Sequence, residues 1–140
     1  MSAADEELFG EEHVQAYRET DGERGFHWRN GTTILLLTTT GRKSGDPRTT
    51  PLIFREVDGN HVIVASKGGA PDDPGWFKNL QADPEAKIQV RADELAVRPR
   101  VAEGEERERL WGLMAEVWPD YDAYQTKTDR RIPVVVLEPA

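Results

Sequence analysis

The chain contains no cysteine, so it can form no disulfide and offers no thiolate to a metal or to nucleophilic catalysis. Basic residues are the minority: 18 Lys+Arg stand against 26 Asp+Glu, a formal net charge of −8. A bulk nucleic-acid binder needs a basic excess to displace counterions, and a polybasic membrane-surface protein needs one to meet anionic lipid. Long apolar runs are missing too. The longest, Ile34–Leu37 and Val134–Leu137 among them, are four residues each, far below a membrane span. Histidine is sparse: His13, His27 and His61 are scattered, with no i,i+4 pair to suggest a metal site. Residues 2–8 are acidic and lack the basic start and apolar stretch of a signal peptide. These absences predict a soluble, cytoplasmic protein with no metal, no nucleic-acid partner and no stable membrane insertion.

What remains is enough for one globular domain: 140 residues, of which 37% are hydrophobic. A helix is expected over Asp5–Arg18, with Leu8, Phe9, Val14 and Tyr17 as a thin apolar stripe. Strands are expected over Thr32–Thr40, Thr49–Val57 and His61–Ser66, with Asp58-Gly59-Asn60 as a hairpin turn. Asp73 reads as an N-cap with Pro74 in the first helical position, and Trp76, Phe77 and Leu80 share a face of that short helix. Strict alternation over Lys87–Arg91 predicts a strand. Leu95, Val97 and Val101 predict its partner after a turn at Ala92-Asp93-Glu94, and Pro99 marks an edge or bulge there. Glu103–Val117 has the clearest helical period, in Leu110, Leu113, Met114, Val117 and Trp118. A last strand is expected over Ile132–Glu138. The sum is mainly β with α: about six antiparallel strands and two to three helices, consistent with a small barrel.

Against the acidic background, Arg42, Lys43 and Arg48 fall within Gly41-Arg42-Lys43-Ser44-Gly45-Asp46-Pro47-Arg48. Glycine allows close backbone approach, arginine grips phosphate or carboxylate bidentately, and Ser44 can complete an anion nest. The spacing is not that of a P-loop, and a solvated hairpin turn is the competing reading. A second feature is Ala65-Ser66-Lys67-Gly68-Gly69-Ala70, either a plain strand exit or a turn whose amides face a polar ring edge. A third is Trp118-Pro119-Asp120-Tyr121-Asp122-Ala123-Tyr124, whose tyrosines share a face of a helical turn. They can pack in a core or offer phenols to a flat ligand. Trp76 could wall a planar cofactor or anchor its helix.

In this order the motifs resemble the deazaflavin (coenzyme F420)-dependent nitroreductase family. The run Thr39–Arg48 carries the resemblance, with Val62–Ala70, Asp73–Leu80, Ala82-Asp83-Pro84, Trp118–Gln125 and Thr128–Val134. The resemblance implies an FMN-binding-like split β-barrel for residues 28–140, preceded by an N-terminal helix and linker in residues 1–27. It implies coenzyme F420, whose planar ring, phosphate and oligoglutamate tail match the basic loop. Arg42, Lys43, Ser44 and Arg48 would take the phosphate and first carboxylates. Pro51, Ile53, Ala65, Ser66, Lys67, Gly68, Gly69, Ala70, Trp76 and Asn79 would complete the coenzyme site. Tyr121 and Tyr124, with Ser66, would be the catalytic set, with Tyr121 as the proton donor or orienting group. The implied reaction moves a hydride from C5 of the reduced coenzyme to a small electron-poor acceptor: a quinone, a nitroaromatic, or an activated enone or lactone. A non-catalytic F420 carrier and an FMN-dependent barrel enzyme are the alternatives. A monomer or homodimer is expected, with weak membrane association only if the acceptor is a quinone.

Overall fold

The computed structural model describes residues 7–140, and six strands close into an antiparallel barrel in the order β1-β2-β3-β6-β5-β4. These are β1 (Thr33–Thr40), β2 (Pro47–Val57), β3 (Asn60–Val64), β4 (Ala86–Val90), β5 (Asp93–Val101) and β6 (Val134–Pro139). Four α-helices accompany them among the described residues: α1 (Gly10–Thr20), α2 (Gly75–Ala82), α3 (Gly104–Val117) and α4 (Asp120–Thr126). The strand number is the expected one. The helices exceed the expected two to three because Asp120–Thr126 forms a helix of its own after Pro119.

The apolar runs Ile34–Leu37 and Val134–Leu137 are central staves. Ile34–Leu37 are all at most 2% exposed, because β1 has covered faces on both sides. In β6 the faces divide: Val135 and Leu137 enter the barrel core with Tyr17, Phe26, Ile63 and Trp76. Val134 and Val136 turn the other way, to Leu110, Met114, Tyr121 and Ile132 beneath α3 and α4. A period-2 strand thus joins two cores. The chain closes on itself where Leu36 pairs with Gln89 and Ile88 pairs with Leu37.

Helix α1 begins at Gly10 and runs to Thr20, later than the expected Asp5–Arg18; Asp5 and Glu6 lie outside the described residues. Its Tyr17 is fully buried and donates its hydroxyl to the Ile34 carbonyl at 3.0 Å, pinning the helix to the barrel. Phe9, expected on the apolar stripe, precedes the helix and is 72% exposed. The β4–β5 turn is Arg91-Ala92, earlier than expected, with Arg91 at φ 55°. Leu95 and Val101 are 43% and 44% exposed, so Val97 alone of the expected face is buried. Pro99 lies where β5 has passed the end of β4 and pairs with β6 only, so its missing N–H costs no ladder bond on that side. Asp73 does not cap α2. Pro74 occupies that position, and Asp73 is drawn instead to Arg130 at 2.9 Å.

Candidate active site

Gly41 to Asp46 form the loop between β1 and β2, closed by Gly41 N–H to Asp46 carbonyl and Gly45 N–H to Gly41 carbonyl, both 2.8 Å. A Cβ on Gly41 would sit 2.9 Å from Ser44 Oγ and 3.0 Å from the Asp46 carbonyl oxygen, so glycine lets this loop close tightly. The loop opens onto a cleft of about 470 Å³ lined by Arg42, Lys43, Ser44, Arg48, Thr50, Gly75, Trp76 and Asn79. The three cations thus line one cleft. Arg42 alone is braced: its Nη1 donates to Asn79 Oδ1 at 2.9 Å and its backbone N–H to the same oxygen at 3.2 Å. Asn79 is buried and donates its own amide to Thr39 Oγ1 at 3.1 Å. Its carbonyl oxygen is therefore committed to Arg42 and one amide N–H to β1, which makes it a support for the cation. Ser44 Oγ accepts from the Asp46 N–H at 3.2 Å and shapes the loop from inside.

Thr50 and Trp76 also line a second cavity of about 380 Å³, so the two spaces meet at these residues. Its walls are mainly apolar: Ile34, Pro51, Leu52, Ile53 and Val64 from the barrel, with Trp28, Trp76, Trp118, Tyr121 and Tyr124 around them. Ser66, Lys67 and Gly68 supply the polar edge. The Lys67 ammonium turns away to Asp72 at 3.1 Å; that hydrogen bond and charge, with Lys78 adding, hold the Asp72 carboxyl below its ordinary range. Ala65, Gly69 and Ala70 form the back of the same turn and do not line the cavity.

Tyr121 is 5% exposed, and its hydroxyl makes no hydrogen bond among the described residues. Burial pushes its phenol well above the ordinary value, and the neighbouring Tyr124 pushes the same way. The group therefore stays protonated at any physiological pH and is a neutral hydrogen-bond donor at the cavity wall. The Tyr124 hydroxyl accepts from Trp118 Nε1 at 3.3 Å, which leaves its own proton for a ligand. The two phenol rings meet edge-to-face at 6.2 Å.

Several lining residues were not singled out by the sequence reading. Trp28 stacks on Trp118 at 6.1 Å with 20° between planes. Its Nε1 donates to the Leu8 carbonyl at 2.9 Å, setting Phe9 and Gly10 at the cavity rim. His13, 2% exposed, binds the Gly25 carbonyl through Nε2 at 2.8 Å. Its position four residues before Tyr17, on the buried face of α1, was the available signal. A wider cleft of about 800 Å³, on the side of the barrel near Thr38, Asp83, Lys87 and Arg98, has mixed charge and no aromatic wall.

An antiparallel barrel carries an aromatic slot beside a cationic cleft, a pairing that suits a flat ligand with an anionic tail. The F420H2-dependent quinone reductase family matches residues 9–139, and the chain belongs to that family. An F420H2-dependent quinone reductase of Mycobacterium tuberculosis is 40% identical over 128 residues, covering 89% of this chain and 86% of the other. Among solved structures, an F420-H2 dependent reductase is 48% identical with TM-score 0.69, covering 75% and 93% of the two chains. A chain described as a domain-swapped dimer is 44% identical with TM-score 0.72, covering 89% and 95%. A pyridoxamine 5'-phosphate oxidase-like protein of Listeria innocua, 13% identical with TM-score 0.53 over 76% and 82% of the chains, shares the barrel fold. No described helix is long and apolar enough to cross a membrane.

The residues present fit coenzyme F420. An apolar slot with tryptophan and tyrosine walls suits a flat ring, and no atom lies within 4 Å of where a Cβ would stand on Gly68, so the turn leaves space at the cavity. The adjoining cleft presents one braced and two adaptable cations to a chain of anions.

Proposed function

We infer that this protein reduces a quinone with reduced coenzyme F420. The observation that supports this is that the two cavities adjoin, with Thr50 and Trp76 in the walls of both, so that one molecule can place a ring in the slot and its charged tail along the cleft. Arg42, Lys43 and Arg48 hold the phosphate and first carboxylates. Ser66, Lys67 and Gly68 meet the polar ring edge, and Trp76 borders the ring. When bound, the reduced coenzyme supplies a hydride to an electron-poor acceptor. Pro51, Ile53 and the aromatic walls hold donor and acceptor face to face and exclude water. Tyr121 donates a hydrogen bond to the acceptor carbonyl, where negative charge builds during transfer, and Tyr124 assists. A neutral donor on a largely buried side chain is effective there, because the cavity wall limits solvent screening.

The test mixes reduced F420 with a short-chain quinone, a nitroaromatic and an activated enone, and follows coenzyme re-oxidation. Turnover is expected with the quinone. Coenzyme binding with no turnover on any of the three would make the protein a carrier, and tighter binding of FMN than of F420 would make it a flavin enzyme. For assembly we favour a monomer or homodimer, which sedimentation velocity distinguishes. We place the protein in the cytoplasm, with weak membrane contact only through a lipid-soluble quinone; co-sedimentation with vesicles tests that contact.

A further inference from the structure

Arg130 has no part in the cavity lining, yet its side chain is only 14% exposed and all three nitrogens of its guanidinium donate to the turn over residues 65–70, with Asp73 as a further acceptor. Nε donates to the Ala70 carbonyl at 2.8 Å, Nη2 to the Ser66 carbonyl at 2.7 Å, and Nη1 to the Ala65 carbonyl at 3.2 Å and to Asp73 Oδ1 at 2.9 Å. A charge that only needed a partner would be satisfied by Asp73. Here the planar fork gathers three carbonyls of the segment that bears Ser66, Lys67 and Gly68.

That segment is unusual in backbone shape. Lys67, Gly68 and Gly69 have φ of 47°, 64° and 84°, three left-handed residues in succession. Among the described residues nothing accepts from the N–H groups of Lys67 or Gly68, and both residues line the cavity. The carbonyls are thus held on the Arg130 side, while two amides remain uncommitted.

The other end of Arg130 is tied to the acceptor side. Gln125 of α4 donates to the Arg130 carbonyl at 2.8 Å and accepts from the Ile132 N–H at 3.0 Å. The turn also abuts α4 directly, since a Cβ on Gly69 would lie 2.6 Å from the Tyr124 carbonyl oxygen. Arg130 therefore links the turn that meets the coenzyme ring to the helix that carries Tyr121 and Tyr124.

We propose that Arg130 is a positioning residue that sets the gap between the Ser66–Gly68 turn and the phenols of α4. It thereby sets the distance between coenzyme ring and acceptor, and this last step rests on the function proposed above. Hydride transfer is sensitive to misplacement of about 1 Å, which can cost on the order of 100-fold in rate.

The experiment compares wild type, Arg130→Ala and Arg130→Lys by amide hydrogen exchange without ligand, and then by steady-state kinetics with reduced F420 and a quinone. In Arg130→Ala, exchange across residues 66–70 and 121–126 is expected to quicken about tenfold or more, with the β4–β5 hairpin unchanged, as for a local opening. At saturating coenzyme, kcat is expected to fall about 100-fold while the quinone KM moves less than about threefold. Arg130→Lys keeps the charge but not the fork, and should recover part of both losses. Wild-type exchange at 66–70 in Arg130→Ala, or a uniform rise over the whole barrel, overturns the proposal. If Arg130→Ala does not fold, Arg130→Lys decides: unchanged exchange and unchanged kcat overturn it. A wild-type protein that oxidises no reduced F420 sinks the proposed function, while the exchange arm still judges the link between turn and helix.

Discussion

The cationic cleft and the aromatic slot share Thr50 and Trp76 but are built in opposite ways. The cleft comes from one short loop. Its Lys43 and Arg48 are exposed side chains, and only Arg42 is braced by a buried partner, Asn79. The slot draws on β1, β2, β3, α2, α4 and the chain before β1, and its key groups are buried or hydrogen-bonded in place. The difference separates affinity from geometry. Long, solvated cations grip a flexible polyanion through Coulomb forces that salt weakens. Packed aromatic rings and the phenol of the buried Tyr121 define one orientation, and salt should hardly touch them.

Removing Arg42 and Lys43 together should have the largest effect. With Arg42→Ala plus Lys43→Ala, F420 affinity at low salt should fall about 100-fold, since each charge-assisted hydrogen bond is worth about 1.5–3 kcal/mol. The salt dependence of binding should flatten as well. Titration at two ionic strengths checks both, and unchanged affinity would refute the grip assigned to the loop. Tyr121→Phe attacks the other half. It should lower kcat by about 10- to 100-fold through loss of a donor at the developing charge. Coenzyme affinity and its salt dependence should stay within about twofold of wild type. If Tyr121→Phe instead weakens coenzyme binding as much as it slows turnover, the separation of the two halves fails.

Asn79→Ala sharpens the comparison from within the cleft. It removes no charge, so the salt dependence should persist, while affinity drops about five- to tenfold because Arg42 loses its brace. Equal affinity in the variant would show that Arg42 works as an unheld charge. The smallest effect concerns stability at alkaline pH. Burial raises the phenols of both Tyr17 and Tyr121. Above the ordinary tyrosine value the unfolded chain releases protons that the folded one keeps, so stability falls as pH rises from about 10. Denaturant midpoints should decline over that range, and Tyr121→Phe should make the decline shallower.

The cleft was legible in the sequence because Arg42, Lys43, Ser44 and Arg48 lie within seven positions of two glycines. The strands were legible through alternation and apolar runs, with ends shifted by one or two residues. The periodic helix over Glu103–Val117 appears as Gly104–Val117. Other features were not readable in this way. Leu95 and Val101 have the right spacing for a buried face, but burial depends on what covers β5, and the described residues leave both exposed. Asp73 has a cap's chemistry and position, but an arginine 57 residues away outcompetes the helix terminus for it. Arg130 sits in Asp-Arg-Arg, which looks like solvated sequence, because its partners are carbonyls that any residue could supply. Trp28 and His13 belong to the slot only because the chain before β1 folds back over the barrel mouth.

The sequence by itself determined the alternation of strand and turn, the two apolar runs that became central staves, and a local concentration of positive charge on an acidic chain. Those properties depend on neighbours a few residues apart, where backbone geometry leaves few choices. Tertiary structure alone decided that the basic cleft adjoins an aromatic slot, that Tyr121 is buried in the slot's wall, and that one arginine ties the Ser66–Gly68 turn to α4. These depend on contacts between residues far apart in the chain, whose geometry is set only when the barrel closes and water is excluded.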